Sequence, residues 1–415
     1  MSETDVMPAD LRREPSRVLR LLPWLILIAV CVGQAGANYA QFQLAPLAPQ
    51  LTEEMGLSTG QFAGVFTAQM IPAIFLSLIA GMLADRFGVK RVVVIGFAIT
   101  AAAAIARIWS ASYAMLFGCM FLLGIGVCFL NANLTKLIGS WHAPHRISFL
   151  TGIVLGSSNV AMVLGTATTA LLPGVRIAYL LSAVALVIAA ILFFVVLPNR
   201  NSPHVSPIKV PEVRMMESLK VACGSRGVWV VAGILFLFVG VDMMLSPFLP
   251  TALQQRGLSP VSAGMYASVI NIGSLVGCLA APALASRLSR QKPLMAILAL
   301  VAAGGVSVAW LAPVGLPLGA ALFATGLIRA GIMPMAMALP VQLPEIGPTY
   351  AGAAGGITAT MQLLGAVILP TYVVAPLAGE NISVFFGASG VCMLGVFLLI
   401  FLLPEIGRGR AAKST

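Results

Sequence analysis

The chain has 415 residues, 59% of them apolar and 9% charged, with a mean hydropathy of +1.00 and a formal net charge of +11. A soluble protein is nearer a quarter charged, so this chain can bury its apolar surface only in lipid. Its basic residues are spread over alternate loops, which excludes a nucleic-acid partner, and its long runs lack strand alternation, which excludes a β-barrel.

Residues 1–20 are polar and carry Arg12, Arg13, Arg17 and Arg20. They read as a tail leading into a retained first helix, since the short apolar core and small-residue cleavage site of a removed signal are missing. Apolar runs of membrane-spanning length then follow. They predict helices at about 21–44, 60–82, 91–109, 112–138, 148–172 and 175–197. Six more are predicted at about 228–250, 260–284, 293–312, 316–339, 350–374 and 382–403. The expected fold is therefore an all-α polytopic membrane protein, twelve transmembrane helices in two pseudo-symmetric six-helix bundles. Its bundles span 21–197 and 228–403, with a tail at 1–20, a polar linker at 198–227 containing Pro203, Pro207 and Pro211, and a tail at 404–415. An amphipathic stretch at 213–221 is suited to a membrane surface.

Trp24, Trp109, Trp141, Trp229 and Trp310 fall near predicted helix ends, where an aromatic belt belongs. On this topology twenty of the 24 Lys and Arg residues lie on the side of the tails and linker. Arg107, Arg176 and Arg256 lie on the other, and Arg329 lies within a helix. That bias places both termini in the cytoplasm of a multi-pass inner-membrane protein. The six cysteines lie in or beside apolar runs, and no disulfide is expected. The histidines His142, His145 and His204 fall in loops without thiols or carboxylates beside them, so no metal or other cofactor is expected.

The halves repeat. A shift of 201 residues lays 45–64 over 246–265 without a gap, pairing Pro46 with Pro247, Pro49 with Pro250, and Gly56-Leu57-Ser58 with Gly257-Leu258-Ser259. The same shift sets Leu83-Ala84-Asp85-Arg86 over Leu284-Ala285-Ser286-Arg287. A gapless match through loops indicates a parallel duplication of a six-helix unit.

Several polar groups interrupt the predicted helices. Gln34, Asn38 and Gln41 form an i, i+4, i+7 stripe on helix 1, costly against lipid and therefore facing a cavity or another helix. Helix 4 carries Asn131 and Asn133. Asp242 and Arg329 sit halfway along helices 7 and 10, where an ionised group costs about 2.5–3.5 kcal/mol. They read either as a substrate site for an anionic or polar solute or as a structural salt bridge. Asp242 is the one acidic residue placed deep in the membrane, hence the proton-coupling candidate.

The loop at 81–91, GMLADRFGVKR, resembles the loop after the second helix of major facilitator superfamily transporters. The resemblance implies two bundles rocking about a midplane site lined by helices 1, 4, 7 and 10. It implies a conformational latch from Gly81, Asp85, Arg86, Gly88 and Arg91. Other family motifs are absent. Met120 stands where many proton-coupled members have an Arg before the Phe-Leu-Leu-Gly-x-Gly run. The 152–165 run lacks the Gly-Pro pair of drug antiporters, and 197–203 lacks the sugar-porter motif. The remainder resembles the small-anion and cyanate-type permeases. The expectation is a monomeric secondary transporter of a small polar or anionic solute, not an enzyme. It would act by uptake or exchange, with protons as candidate coupling ions. Export of amphipathic drugs or metabolites is the alternative. No ATP-binding glycine loop appears.

Overall fold

Prolines and glycines, rather than the apolar runs themselves, decide how each helix of the computed structural model is shaped. The structure describes residues 17–139, 141, 144–197, 215–287, 291–379 and 381–403. The two tails before and after these residues, most of the linker, His142 and His204 lie outside them, as does the side chain of His145. Among the described residues there are twelve helices long and apolar enough to cross a membrane, and no strand.

Helix 1 is Arg17–Phe42, helix 2 runs from Thr59 to Phe87, helix 3 is Val89–Ala106, helix 4 is Tyr113–Gly139, helix 5 is Pro144–Thr168 and helix 6 is Val175–Val196. A surface helix, Met215–Gly224, precedes the second half. Helix 7 is Arg226–Gln255, helix 8 is Pro260–Arg287, helix 9 is Lys292–Val308, helix 10 runs from Leu316 to Gln342, helix 11 from Gly347 to Ala378, and helix 12 is Ser383–Leu402.

The packing repeats with the sequence. Helix 1 packs on helices 5 and 6, as helix 7 packs on 11 and 12. Helix 2 packs on 4 and helix 3 on 6, as helix 8 packs on 10 and helix 9 on 12. Across the halves, helix 5 meets helix 8 and helix 2 meets helix 11.

Glycine permits these approaches. A Cβ at Gly124 of helix 4 would lie 2.0 Å from the Gln69 carbonyl of helix 2. One at Gly326 of helix 10 would lie 2.1 Å from Ile270 O of helix 8, and one at Gly365 of helix 11 would lie 2.0 Å from Phe236 O of helix 7. The Phe-Leu-Leu-Gly-Ile-Gly run of helix 4 is thus a packing surface.

Three helices are interrupted, each beside a proline whose missing N–H frees a carbonyl one turn back. A 3-10 turn at Ala68–Met70 precedes Pro72, a break at Gly331 precedes Pro334, and a π-turn at Leu369–Val374 contains Pro370. The Ala330 carbonyl freed by Pro334 accepts the Cys278 thiol at 3.4 Å.

The structure corrects two expectations. Helix 1 does not run on to residue 44 but breaks at Gln43, and the chain resumes as a separate helix, Leu44–Met55. Arg107, counted above among the charges on the side away from the tails, is not at the surface. It sits in a 3-10 turn, Arg107–Trp109, with none of its surface exposed.

The two halves touch at the end of the molecule opposite the tails. Thr59 donates to the Gly379 carbonyl at 2.8 Å, the Thr67 and Thr371 hydroxyls meet at 3.4 Å, and the Phe62 and Phe248 rings lie edge to face at 5.8 Å. A Cβ at Gly264 of helix 8 would come within 2.5 Å of Thr166 O of helix 5. At the opposite end, Cβ atoms on Gly152 and Gly156 of helix 5 or Gly352, Gly355 and Gly356 of helix 11 would meet nothing within 4 Å.

Candidate functional site

Arg329 lies in the last helical turn before the Gly331 break, and Asp242 lies midway along helix 7. Among the described residues they form a salt bridge, Nη1 of Arg329 donating to Oδ1 of Asp242. Nη2 of Arg329 donates to Ser274 Oγ on helix 8 at 3.2 Å, and the guanidinium stands 5.6 Å from the Phe238 ring centroid. The arginine side chain is 4% exposed and the aspartate 22%. The pair is therefore lopsided: the cation is enclosed and the anion is partly exposed. Nε of Arg329 is buried without a partner. The site thus sets one N–H without a partner beside a partly exposed carboxylate. Ser274 and Phe238 escape a reading of sequence because neither residue type stands out on a helix.

The amide stripe of helix 1 does not face one way. Gln34 Nε2 donates to Asn131 Oδ1 of helix 4 at 3.0 Å, and Asn131 is exposed although it sits within a membrane-length helix. Asn38 Nδ2 turns back to the Gln34 carbonyl at 2.8 Å, and Gln41 Nε2 donates to Phe66 O of helix 2 at 2.9 Å. Asn133 is fully buried and donates to Ala80 O of helix 2 at 3.3 Å and to Phe129 O at 3.0 Å. Gln41 and Asn133 therefore hold helices together within the first half. They are not brought to Arg329.

In the 81–91 loop, Gly88 takes φ +88°, a left-handed conformation that only glycine adopts freely, and its N–H closes helix 2 onto Ala84 O at 2.9 Å. Gly81 has open space around it. Arg86 and Arg91 are exposed, and Arg86 lies over the Phe87 ring at 5.3 Å. The side chain of Asp85 lies outside the described residues.

A duplicated bundle of twelve membrane-length helices with a charged pair held near its centre is the architecture of a multi-pass membrane transporter. Residues 26–370 match the family model described as Major Facilitator Superfamily, and the chain belongs to that superfamily. The chain is 30% identical over 346 residues to the 4-hydroxybenzoate transporter PcaK of Pseudomonas aeruginosa, covering 74% of this chain and 76% of that one. It is 30% identical over 129 residues to a probable sulfoacetate transporter, SauU, of Cupriavidus necator, which covers 31% of this chain and 30% of that one. Among solved structures, the fold is shared with a bacterial homolog of the human lysosomal transporter Spinster in an inward-facing, unoccupied conformation. The TM-score is 0.73 at 12% identity, over 94% of this chain and 96% of that one. It is shared equally with the xylose transporter XylE from E. coli in an inward open conformation, with TM-score 0.72 at 15% identity, over 94% of this chain and 98% of that one.

Proposed function

We propose that this protein is a secondary transporter of a small organic anion, working by alternating access in the plasma membrane with both termini in the cytoplasm. The observation that carries the reading is the enclosed guanidinium of Arg329, tied to the partly exposed carboxylate of Asp242. Arg329 binds the anionic group of the solute. Asp242 neutralises Arg329 when the site is empty and takes a proton when the solute replaces it, which couples uptake to protons. The Gln34–Asn131 pair supplies hydrogen bonds from the first half. The named solutes of the two relatives, 4-hydroxybenzoate and sulfoacetate, are both organic acids, which supports the class. With the basic loops in the cytoplasm, the observed contacts close the outer end, and the 81–91 loop latches the inner end in the opposite state. The whole site lies in one chain, so a monomer suffices.

The test is uptake of radiolabelled organic acids, 4-hydroxybenzoate first, into vesicles reconstituted with the parent and with Arg329→Ala, with and without an inward proton gradient. Saturable, gradient-driven uptake that disappears in Arg329→Ala is expected. Uptake unaffected by Arg329→Ala, or transport only of amphipathic drugs in both proteins, would overturn the reading in favour of an exporter.

A further inference from the structure

The transport site leaves a second buried arginine unused. Arg107 has no exposed surface, and no carboxylate among the described residues pairs with it. Its Nη1 donates to the Ala40 carbonyl at 2.8 Å and approaches Met120 Sδ at 3.3 Å. Its Nη2 donates to Gln43 Oε1 at 3.0 Å and Ser182 Oγ at 2.6 Å. The guanidinium lies over the Tyr179 ring, 4.2 Å from its centroid. Every one of these partners is neutral.

Ala40 stands three residues before the break in helix 1, so its carbonyl belongs to the negative end of a helix dipole. Such an end is equivalent to roughly half an elementary charge. The rest of the cation is uncompensated, and a buried ion without a partner costs several kcal/mol.

Three buried donors in the same cluster lack any acceptor: Nε of Arg107, Nε2 of Gln43 and the hydroxyl of Tyr179. Gln43 and Tyr179 are as enclosed as Arg107, at 0% and 1% exposure. Three orphaned donors thus surround one cation that has no carboxylate partner among the described residues. Such groups are ordinarily satisfied by an ordered ion or water. Arg107 is one 3-10 turn from Ser110, which leaves the membrane-spanning segment, and Trp109 beside it is 64% exposed. The place is enclosed but lies near the end of its membrane-spanning segment.

We propose that Arg107, Gln43 and Tyr179 form a binding site for a small monovalent inorganic anion, chloride being the probe of choice. Occupation completes the charge at the break between helix 1 and the Leu44–Met55 helix. That helix packs on helix 7 and so carries part of the contact between halves. The anion thus stabilises the first half and fixes the angle at which its extension meets the second.

The experiment measures thermal unfolding of the purified full chain while chloride replaces gluconate from about 1 mM to about 300 mM at constant ionic strength. The melting temperature is expected to rise with chloride. Tyr179→Phe removes one orphan hydroxyl while keeping the ring, and should move the response to at least about tenfold higher chloride. Arg329→Ala should leave the response in place, which separates this site from the transport site. An anomalous peak from bromide against the Arg107 guanidinium is the direct observation. Three results would each overturn the proposal. One is a melting temperature indifferent to chloride. Another is a response unchanged in Tyr179→Phe. The third is a shift lost in Glu54→Gln, which would make the exposed Glu54 of the neighbouring helix the counter-charge.

Discussion

Replacing Asp242 and Arg329 singly and together separates a working site from a structural pair. Asp242→Leu leaves the guanidinium of Arg329 4% exposed with only Ser274 and a ring beside it. Stranding a buried charge in this way costs about 3–5 kcal/mol. Arg329→Met strands the carboxylate instead, but at 22% exposure Asp242 is less fully desolvated than the arginine. That loss should be smaller, about 1–3 kcal/mol, the penalty of an unmade hydrogen bond at a partly wet group. The double variant removes both charges, and apolar replacement of a buried pair is neutral or stabilising by about 1–4 kcal/mol. Stability should therefore fall most in Asp242→Leu, less in Arg329→Met, and return to the parent value in the double variant. Denaturant unfolding in mixed micelles measures this, and vesicle uptake measured alongside should be absent in all three. Recovery of transport with stability in the double variant would refute the site. A loss under about 1 kcal/mol in Asp242→Leu would refute the premise that Arg329 lacks another counter-charge.

Other expectations follow from single contacts. Gly365→Val should abolish folded expression, because even a Cβ would lie 2.0 Å from Phe236 O, whereas Gly355→Ala, facing open space, should express normally; size-exclusion profiles decide both. Cysteines at 67 and 371, where the threonine hydroxyls are 3.4 Å apart, should cross-link in a background without native cysteines and block transport until reduced. Free transport in the cross-linked form would show that the end opposite the tails need not open. Gly88→Ala places a Cβ at φ +88° and should destabilise by about 1–2 kcal/mol, read as an earlier denaturation midpoint.

The number and order of the helices were legible because lipid imposes one requirement on every span: about twenty apolar residues with their backbone bonds made internally. Helix shape was less legible. Pro46 and Pro49 repeat as Pro247 and Pro250, yet the first pair follows a break at Gln43 while the second lies inside a continuous thirty-residue helix, Arg226–Gln255. Of the stretch 40–50 only Leu44, Pro46 and Pro49 recur, as Leu245, Pro247 and Pro250, and the tertiary partner of the break differs as well. Arg107 donates to the Ala40 carbonyl and grips Gln43, and the register-equivalent position in the second half is Val308, which has no hydrogen bond to give.

The same contrast governs the site. Asp242 and Arg329 were legible because a full charge at membrane depth has few inexpensive alternatives to another charge. Amides are different. Gln34, Asn38, Gln41 and Asn133 can each be satisfied by a carbonyl of their own or a neighbouring helix, and three of the four are. Only Gln34 reaches another side chain, the exposed Asn131. A periodic polar stripe therefore locates a helix face no better than the number of carbonyls within reach allows. Arg107 shows the converse error. Its position three residues before a loop invites the reading of a surface charge, while the groups that bury it, Gln43, Met120, Tyr179 and Ser182, come from three other helical segments far apart in the chain. A cation near a helix end is assigned to water or to the interior by what those segments bring to it, and one-dimensional charge counting has no term for that.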